Sequence, residues 1–211
     1  KSFVRARQIE MRQVLFCKED FNRIQTFFDF GCGHGTDVIQ VAKLYPHIQT
    51  HGFTITQDQA DLGNRRIARC NLGSRAKVFH KDSSKDEFPG RYDLIIGIEV
   101  SFHIRDKDGL FQNIVSSLRE DGKVLLMDQI ANLRGAIVDP NVEISIPTQK
   151  DWVDLLSKHH LVIDEIIDVS PQIANFLFDP ELEQNIKGGS KVVQDTLRNY
   201  AHQSMALEKG W

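Results

Sequence analysis

The sequence is poor in the residues that build disulfide frameworks, metal sites and membrane spans. Its 211 residues include only three cysteines, Cys17, Cys32 and Cys70, which are odd in number and widely spaced. This pattern suits reduced thiols in the cytoplasm better than a disulfide scaffold or a zinc site, and no histidine or cysteine has ligand spacing that predicts a metal. No apolar run approaches the ~18 residues that a membrane span needs, and no signal-peptide pattern is present.

The chain also lacks an excess of either charge, since 26 basic residues face 29 acidic ones for a formal net charge of -3. A basic groove for nucleic acid is therefore not expected. There are no internal repeats and no low-complexity tract, and 41% hydrophobic residues are enough for one globular domain. The chain begins at Lys1 and stops at "ALEKGW", from which we expect it to be a segment of a longer polypeptide.

Short apolar runs alternate with helical patterns over the first 130 residues. The strand-like runs cover 26–30, 48–55, 76–80, 92–100 and 122–130, and the helical patterns cover 35–46, 56–73 and 106–120. Strands separated by helical crossovers predict an α/β fold with a doubly wound, mostly parallel sheet of the Rossmann-like type.

Beyond residue 130 the alternation breaks down. Residues 131–147 have no clear period and predict a lid insertion, whereas Thr148 and Asp151 form the capping box of a following helix. An apolar run over 161–170 predicts a sixth strand, and a helical segment is expected over 171–211. With a helical lid segment over 1–24, the expected core domain covers 25–211.

The first strand leads into "FFDFGCGHGT", which we interpret as a nucleotide-binding turn. Gly31, Gly33 and Gly35 are spaced one residue too closely for the dinucleotide fingerprint G-x-G-x-x-G. The preceding Asp29 is poorly suited to a pyrophosphate but suits a ligand that carries an amino group and a sulfonium. S-adenosylmethionine has both, and it is the cofactor that the loop predicts.

Further contacts are expected where the next strands end, because ligands of such sheets lie across the carboxyl ends of the strands. Asp82 and Ser83 follow the third strand, and Asp82 can accept a hydrogen bond from an adenine amino group. The second strand ends in "GFTITQDQ", so neutral side chains, Thr54 and Gln59, stand where an acid commonly binds the ribose.

Several motifs together resemble a known group. "DFGCGHGT", "GFTITQDQ", "KDSSKDEFPGRYDLIIGIEV" and "SFHI" are similar to class I S-adenosylmethionine-dependent methyltransferases, including the sterol and cyclopropane-fatty-acid branch. "QIEMRQVLF", "HIRDKDGLFQNI" and "DVSPQIANFLFDPELE" more closely resemble methyltransferase domains of modular polyketide synthases, especially O-methyltransferases. The resemblance implies a final antiparallel strand after "ALEKGW", which is therefore expected to be missing from this chain.

His103, just past the fourth strand, is the candidate general base, since a neutral imidazole can take a hydroxyl proton near pH 7. Such a histidine is commonly oriented by a carboxylate, for which Glu99, Asp139 and Glu143 are candidates. The resemblance favours Glu143 as the catalytic partner and places Glu99 beside the cofactor. Asn175 is a candidate contact to the acceptor.

The resemblance implies that the acceptor is a β-hydroxyl, or an enolised β-keto group, of an acyl chain on an acyl carrier protein, among neighbouring polyketide synthase domains. Phenylalanines in the expected lid would cover that chain: Phe3, Phe16, Phe21, Phe176 and Phe178. A basic patch for the acidic carrier could be formed by Lys1, Arg5, Arg7 and Arg12.

Other functions remain open at this stage. C-methylation at the α-carbon of a β-ketoacyl thioester would use the same cofactor motifs, as would a small-molecule methyltransferase of the sterol or cyclopropane type. A non-catalytic scaffold is disfavoured because the glycines and the histidine are present. A nicotinamide-dependent oxidoreductase is disfavoured by the glycine spacing and by Thr54.

Overall fold

A computed structural model describes residues 2–132, 135–139 and 144–177 of the chain. Its centre is a five-stranded parallel sheet in the order β3-β2-β1-β4-β5. The strands are β1 (Thr26–Asp29), β2 (Gln49–Thr54), β3 (Ala76–His80), β4 (Tyr92–Ile98) and β5 (Leu118–Met127). The helices are α1 (Ser2–Phe16), α2 (Thr36–Leu44), α3 (Gln57–Arg69), α4 (Lys107–Ser117), α5 (Gln149–Lys158) and α6 (Ser170–Leu177).

The central strand β1 shows why this sheet is covered on both faces. Its adjacent residues Phe27 and Phe28 are both fully buried, and they belong to different core clusters. Phe28 packs with Phe53 and Phe111 on one side, while Phe27 packs with Val41 on the other. Alternate side chains of a strand point to opposite faces, so a strand buried on both faces is apolar at every position.

The strand order places the site. β1 lies between β2 and β4, so the connection after β1 turns to one side of the sheet while that after β4 turns to the other. Ligands of open α/β sheets bind outside the carboxyl ends of the strands at this reversal. The predicted doubly wound sheet is confirmed, and the loops after β1 and β4 flank the reversal.

The expected lid insertion contains regular structure. Within 131–147, β6 (Ile137–Asp139) pairs antiparallel with β7 (Ile144–Ile146). The base of this hairpin is joined to the segment that follows β5, because the Ala131 amide donates to the Pro147 carbonyl at 2.9 Å. The capping box of Thr148 and Asp151 at the start of α5 is confirmed.

The predicted sixth strand is wrong. Residues 161–169 form no strand, and several of their apolar side chains are exposed, with Val162 at 86%. A strand needs a neighbouring backbone, and β5 pairs only with β4 within the described part of the chain. Two boundaries also move, since α3 ends at Arg69 rather than near Gly73, and β5 begins at Leu118 rather than 122.

The expected C-terminal helical segment is seen in part. Its first helix is α6, and residues 178–211, with Phe178, lie outside the described residues. Among the helices described, none is long and apolar enough to cross a membrane.

Candidate active site

The loop after β1 is held close to its neighbours by backbone hydrogen bonds. The Phe30 amide donates to the Ile96 carbonyl of β4 at 3.0 Å, and the Cys32 amide donates to the Phe53 carbonyl of β2 at 2.8 Å. A Cβ atom on Gly31 would lie 2.3 Å from Cγ2 of Val100, and Gly33 has a left-handed φ of 50°. Glycine is therefore needed at position 31 for close approach to the loop after β4.

Asp29 ends β1 as a buried carboxyl group, only 4% exposed. One of its oxygens accepts a hydrogen bond from the Gly31 amide at 3.0 Å. Burial, aided by the nearby charge of Asp37, raises the pKa of Asp29 to about 8, although the Gly31 hydrogen bond and Arg12 oppose the shift. A cation placed beside this group would favour its ionised form.

Arg12 of α1 places a positive charge near Asp29 and Glu99 at this end of the sheet. Its guanidinium forms a bidentate ion pair with Asp37 of α2, in which Nε and Nη2 donate to the two carboxylate oxygens at 2.5 and 2.7 Å. Its charge also acts on Asp29 and Glu99. The structure therefore corrects the prediction that Arg12 belongs to a surface patch. Arg7 pairs with Glu10 at 2.6 Å, and the side chains of Lys1 and Arg5 lie outside those described.

The predicted ribose contacts, Thr54 and Gln59, are already paired with each other. The Thr54 hydroxyl, at the buried end of β2, donates to the side-chain oxygen of Gln59 on α3 at 2.6 Å. This bond orients the amide group of Gln59 and leaves its hydrogens as donors. The two residues stand at the same edge of the sheet as Asp29.

The loop after β3 reaches the glycine loop through Ser83. Its hydroxyl, in a buried residue, donates to the Phe30 carbonyl at 2.5 Å, so it supports the turn from within. Asp82 accepts from the Ser84 hydroxyl at 2.7 Å and pairs with Lys85 at 3.0 Å. Burial would raise the pKa of Asp82, but these hydrogen bonds outweigh it and lower the pKa below its ordinary value.

Glu99 follows β4 at the point where the chain turns, with a left-handed φ of 50°. Its amide still donates to the Met127 carbonyl of β5 at 2.7 Å. Glu99 is an exposed residue. Partial desolvation of its carboxyl group by the surrounding protein, followed by the charge of Asp128, nevertheless raises its pKa, while Arg12 opposes the shift. Glu99 is therefore an acid at the same edge as Asp29.

His103 closes one turn of 3-10 helix, Ser101–His103, that follows β4. The imidazole is exposed and packs against the ring of Phe102, with centroids 4.2 Å apart. Among the residues that the structure describes, no side chain is hydrogen-bonded to it, Glu99 included. Glu143 lies outside the described residues, and so do the side chains of Asp139 in β6 and Asn175 in α6.

Of the predicted lid phenylalanines, Phe21 belongs to the core instead, and Phe16 is half-buried against it. Phe21 is buried and stacks on Tyr45, with ring centroids 4.7 Å apart, and Phe16 packs edge-on against Phe21 at 5.4 Å. The side chains of Phe3 and Phe176 are not among those described.

Three residues around the turn that carries His103 were not predicted from the sequence: Ser101, Lys107 and Asp128. Asp128, directly after β5, accepts from both the amide and the hydroxyl of Ser101, and Lys107 at the start of α4 donates to the Ile104 carbonyl at 2.9 Å. In the sequence Asp128 falls inside the run predicted as the fifth strand, 122–130, and only the structure, where β5 ends at Met127, places it at a strand end. No sequence pattern marks Lys107 or Ser101.

A family model described as a methyltransferase domain matches residues 28–124. The chain is 58% identical over 210 residues to the polyketide synthase ThaQ of Burkholderia thailandensis. The aligned region covers all of this chain but only 10% of ThaQ.

Solved structures extend the likeness to three dimensions. The O-methyltransferase from a trans-AT polyketide synthase multienzyme of Brevibacillus brevis, in complex with S-adenosyl-L-homocysteine, is 69% identical with a TM-score of 0.91, over 99% of this chain and 70% of that one. The StiE O-MT structure is 35% identical with a TM-score of 0.82, over 96% and 70%. The chain belongs to the class I S-adenosylmethionine-dependent methyltransferases, in the branch formed by the O-methyltransferase domains of polyketide synthases.

Proposed function

We propose that this chain transfers a methyl group from S-adenosylmethionine to the β-hydroxyl, or enolised β-keto, oxygen of an acyl chain carried by an acyl carrier protein. The observation that carries the proposal is the position of His103. It lies on an exposed turn after β4, and Val100 at the start of that turn touches the glycine loop. A base at this edge would stand beside a methyl donor bound across the strand ends.

The residues at the edge of the sheet fit the cofactor. The second oxygen of Asp29 accepts no hydrogen bond within the described residues. Burial raises the pKa of this carboxyl group to about 8, and a cation beside it would favour the ionised form. The ammonium group of S-adenosylmethionine is such a cation. Gln59 can donate to a ribose hydroxyl, and Asp82 or a backbone group beside Ser83 can bind the adenine. Glu99 adds negative charge near the methionyl end.

The cofactor supplies an electrophilic methyl group on a sulfonium. The protein must then align the acceptor oxygen and remove its proton, for which we assign the His103 imidazole. Glu143 is the proposed partner that orients the ring and stabilises the imidazolium, with Asp139 as the alternative in the same hairpin segment. Asn175 is proposed as a polar contact to the acceptor.

The proposed partners follow from the relatives. ThaQ is a polyketide synthase, and this chain matches a tenth of it, so neighbouring synthase domains and an acyl carrier protein are expected in the whole protein. The hairpin of β6 and β7, near the turn of His103, would cover the acyl chain. A cytoplasmic location belongs to the same proposal.

Oxygen methylation is separated from carbon methylation by mass spectrometry of the acyl product. The chain is incubated with S-adenosylmethionine and a carrier-bound β-hydroxyacyl substrate whose α-carbon is fully substituted. A gain of one methylene mass is expected, because only the oxygen can accept the methyl group. Methylation of a β-ketoacyl substrate alone would contradict the β-hydroxyl acceptor and favour the enol oxygen or the α-carbon.

His103→Ala tests the base. We expect kcat to fall by at least ~10²-fold, because a positioned general base contributes ~10²–10⁴-fold, while the dissociation constant of S-adenosylhomocysteine, measured by calorimetry, stays unchanged. The matched control is His47→Ala, since His47 binds the Phe21 carbonyl at 3.1 Å, before β2 and away from the strand ends of the site. Lost cofactor affinity with normal turnover at saturation would move His103 to the cofactor site.

A further inference from the structure

We infer that Asp128 and Lys107 are positioning residues that clamp the 3-10 turn of His103 and couple it to the hairpin of β6 and β7. The inference rests on the proposed function of His103 as the base. Both residues contact the turn rather than the reacting atoms, and they act by fixing the position of the turn.

Asp128 holds the start of the turn. One of its carboxylate oxygens accepts from the Ser101 amide at 2.8 Å and also, through a short bond, from the Ser101 hydroxyl. Ser101 is fully buried, so both donors would lose a hydrogen bond without gaining water if the carboxylate were removed. The other oxygen accepts from the Gln129 amide at 2.9 Å, which fixes the carboxylate itself.

Lys107 holds the end of the turn. Its ammonium group, in a residue only 9% exposed, donates to the carbonyl of Ile104, the residue after His103, at 2.9 Å. It also donates to the Ser145 carbonyl in β7 at 2.8 Å. One side chain thus binds the catalytic turn and the hairpin at once, so a displaced hairpin would pull on the turn.

The two clamps are also joined through charge and through the chain. The charge of Asp128 favours the charged form of Lys107, whose pKa burial lowers. Three residues after Asp128, the Ala131 amide binds the Pro147 carbonyl at the base of the hairpin. The turn of His103 and the described strands of the hairpin are therefore parts of one connected structure.

A double-mutant cycle of Asp128→Ala and His103→Ala tests the first clamp. We expect Asp128→Ala alone to lower kcat about 10- to 100-fold, since a misplacement of about 1 Å costs as much. In the His103→Ala background, Asp128→Ala should lower kcat by less than about twofold, because the effects of residues that act as a unit are not additive. If the two single-variant losses of kcat multiply in the double variant, the inference is overturned. Asp128→Asn, which keeps an oxygen acceptor, should restore part of kcat.

The matched control is Asp93→Ala. Asp93 also accepts two amide bonds and one hydroxyl bond, from Gln25 and Thr26, but at the opposite end of the strands. It should lower thermal stability without any coupling to His103. Equal coupling from Asp93 would mean that the cycle reports general damage, and would overturn the inference.

Lys107→Met tests the second clamp. We expect the KM for the acyl thioester to rise about tenfold, with a smaller change in kcat, because the hairpin loses its tie to the turn. Arg75→Met is the control, since Arg75 likewise donates to two backbone carbonyls, those of Ala42 and Ile48, away from the site. An unchanged KM in Lys107→Met would overturn this part.

Hydrogen exchange of residues 99–106 separates failure of the clamps from failure of the base. Asp128→Ala and Lys107→Met should speed exchange of the turn amides, whatever His103 does chemically. If His103→Ala is fully active, the base assignment fails, and faster exchange still supports the clamps. If exchange is unchanged in both variants, the clamps are overturned, and the base assignment stands on its own kinetics.

Discussion

At the scale of single residues, close approach decides what the glycine loop tolerates. An alanine at position 31 would place a methyl carbon 2.3 Å from Val100, so the loop after β4 would have to move. We expect Gly31→Ala to lower the free energy of unfolding by about 1–3 kcal/mol and to weaken S-adenosylhomocysteine binding. Urea unfolding and calorimetry would measure the two effects.

Gly73→Ala is the matched control for this prediction. A Cβ at Gly73 would meet no atom within 4 Å, so the change should stay within about 0.5 kcal/mol. An equal loss of unfolding free energy at the two positions would show that Val100 can move to make room for a methyl group. Close approach would then not be the reason for a glycine at position 31.

The site residues differ in how far the sequence revealed them. Asp29 and Thr54 stand at strand ends as predicted, because the end of an apolar run is visible in the sequence. Glu99 is placed near the cofactor only by the family resemblance. The use of each side chain was less visible. Ser83 is predicted to contact the cofactor, and the structure adds that its hydroxyl donates to the Phe30 carbonyl, a partner 53 residues away.

At the scale of elements, local chemistry predicted well. The capping box of α5 lies within four residues, and the structure confirms both of its bonds, with the Thr148 hydroxyl 3.2 Å from the Asp151 amide. The sixth strand failed because pairing is not local. An apolar alternation over 161–170 is compatible with a strand, but only a neighbouring backbone makes one.

The same helix gives a stability prediction. Thr148→Ala should lower the free energy of unfolding by about 1 kcal/mol, the usual loss for a removed helix cap. Thr56→Ala, at the corresponding position of α3, should cost only a few tenths of that because Thr56 makes no capping bond through its side chain. Thermal or urea unfolding of the two variants compares them directly, and an equal cost would contradict the box.

At the scale of the whole molecule, three elements meet in one electrostatic cluster. Arg12 comes from α1, Asp37 from α2 and Asp29 from β1, and the pKa of Asp29 is raised to about 8 by burial and by Asp37. Since the folded pKa lies above the ordinary value of 3.8, the folded state binds a proton that the unfolded state has lost. Stability of the cofactor-free protein should therefore fall as pH rises from about 4 to about 8.

Cofactor binding should have the opposite trend in the same range. The ammonium group of S-adenosylhomocysteine favours ionised Asp29, so binding releases a proton and should tighten as pH rises towards about 8. Calorimetry in buffers of different ionisation enthalpy would count the proton. Asp29→Asn should remove the pH dependence of cofactor binding. If the dependence persists in this variant, another group is responsible for the proton release.

The sequence by itself determined the succession of strands and helices over the first 130 residues, the glycine loop and the cofactor class, because burial periodicity, turn chemistry and capping act over a few residues. The tertiary structure decided which distant groups meet. Arg12 reaches Asp37 across 25 positions, and Ser101 reaches Asp128 across 27. Such pairs depend on which strand ends become neighbours in the sheet, and strand order is a property of the folded chain that no local pattern encodes.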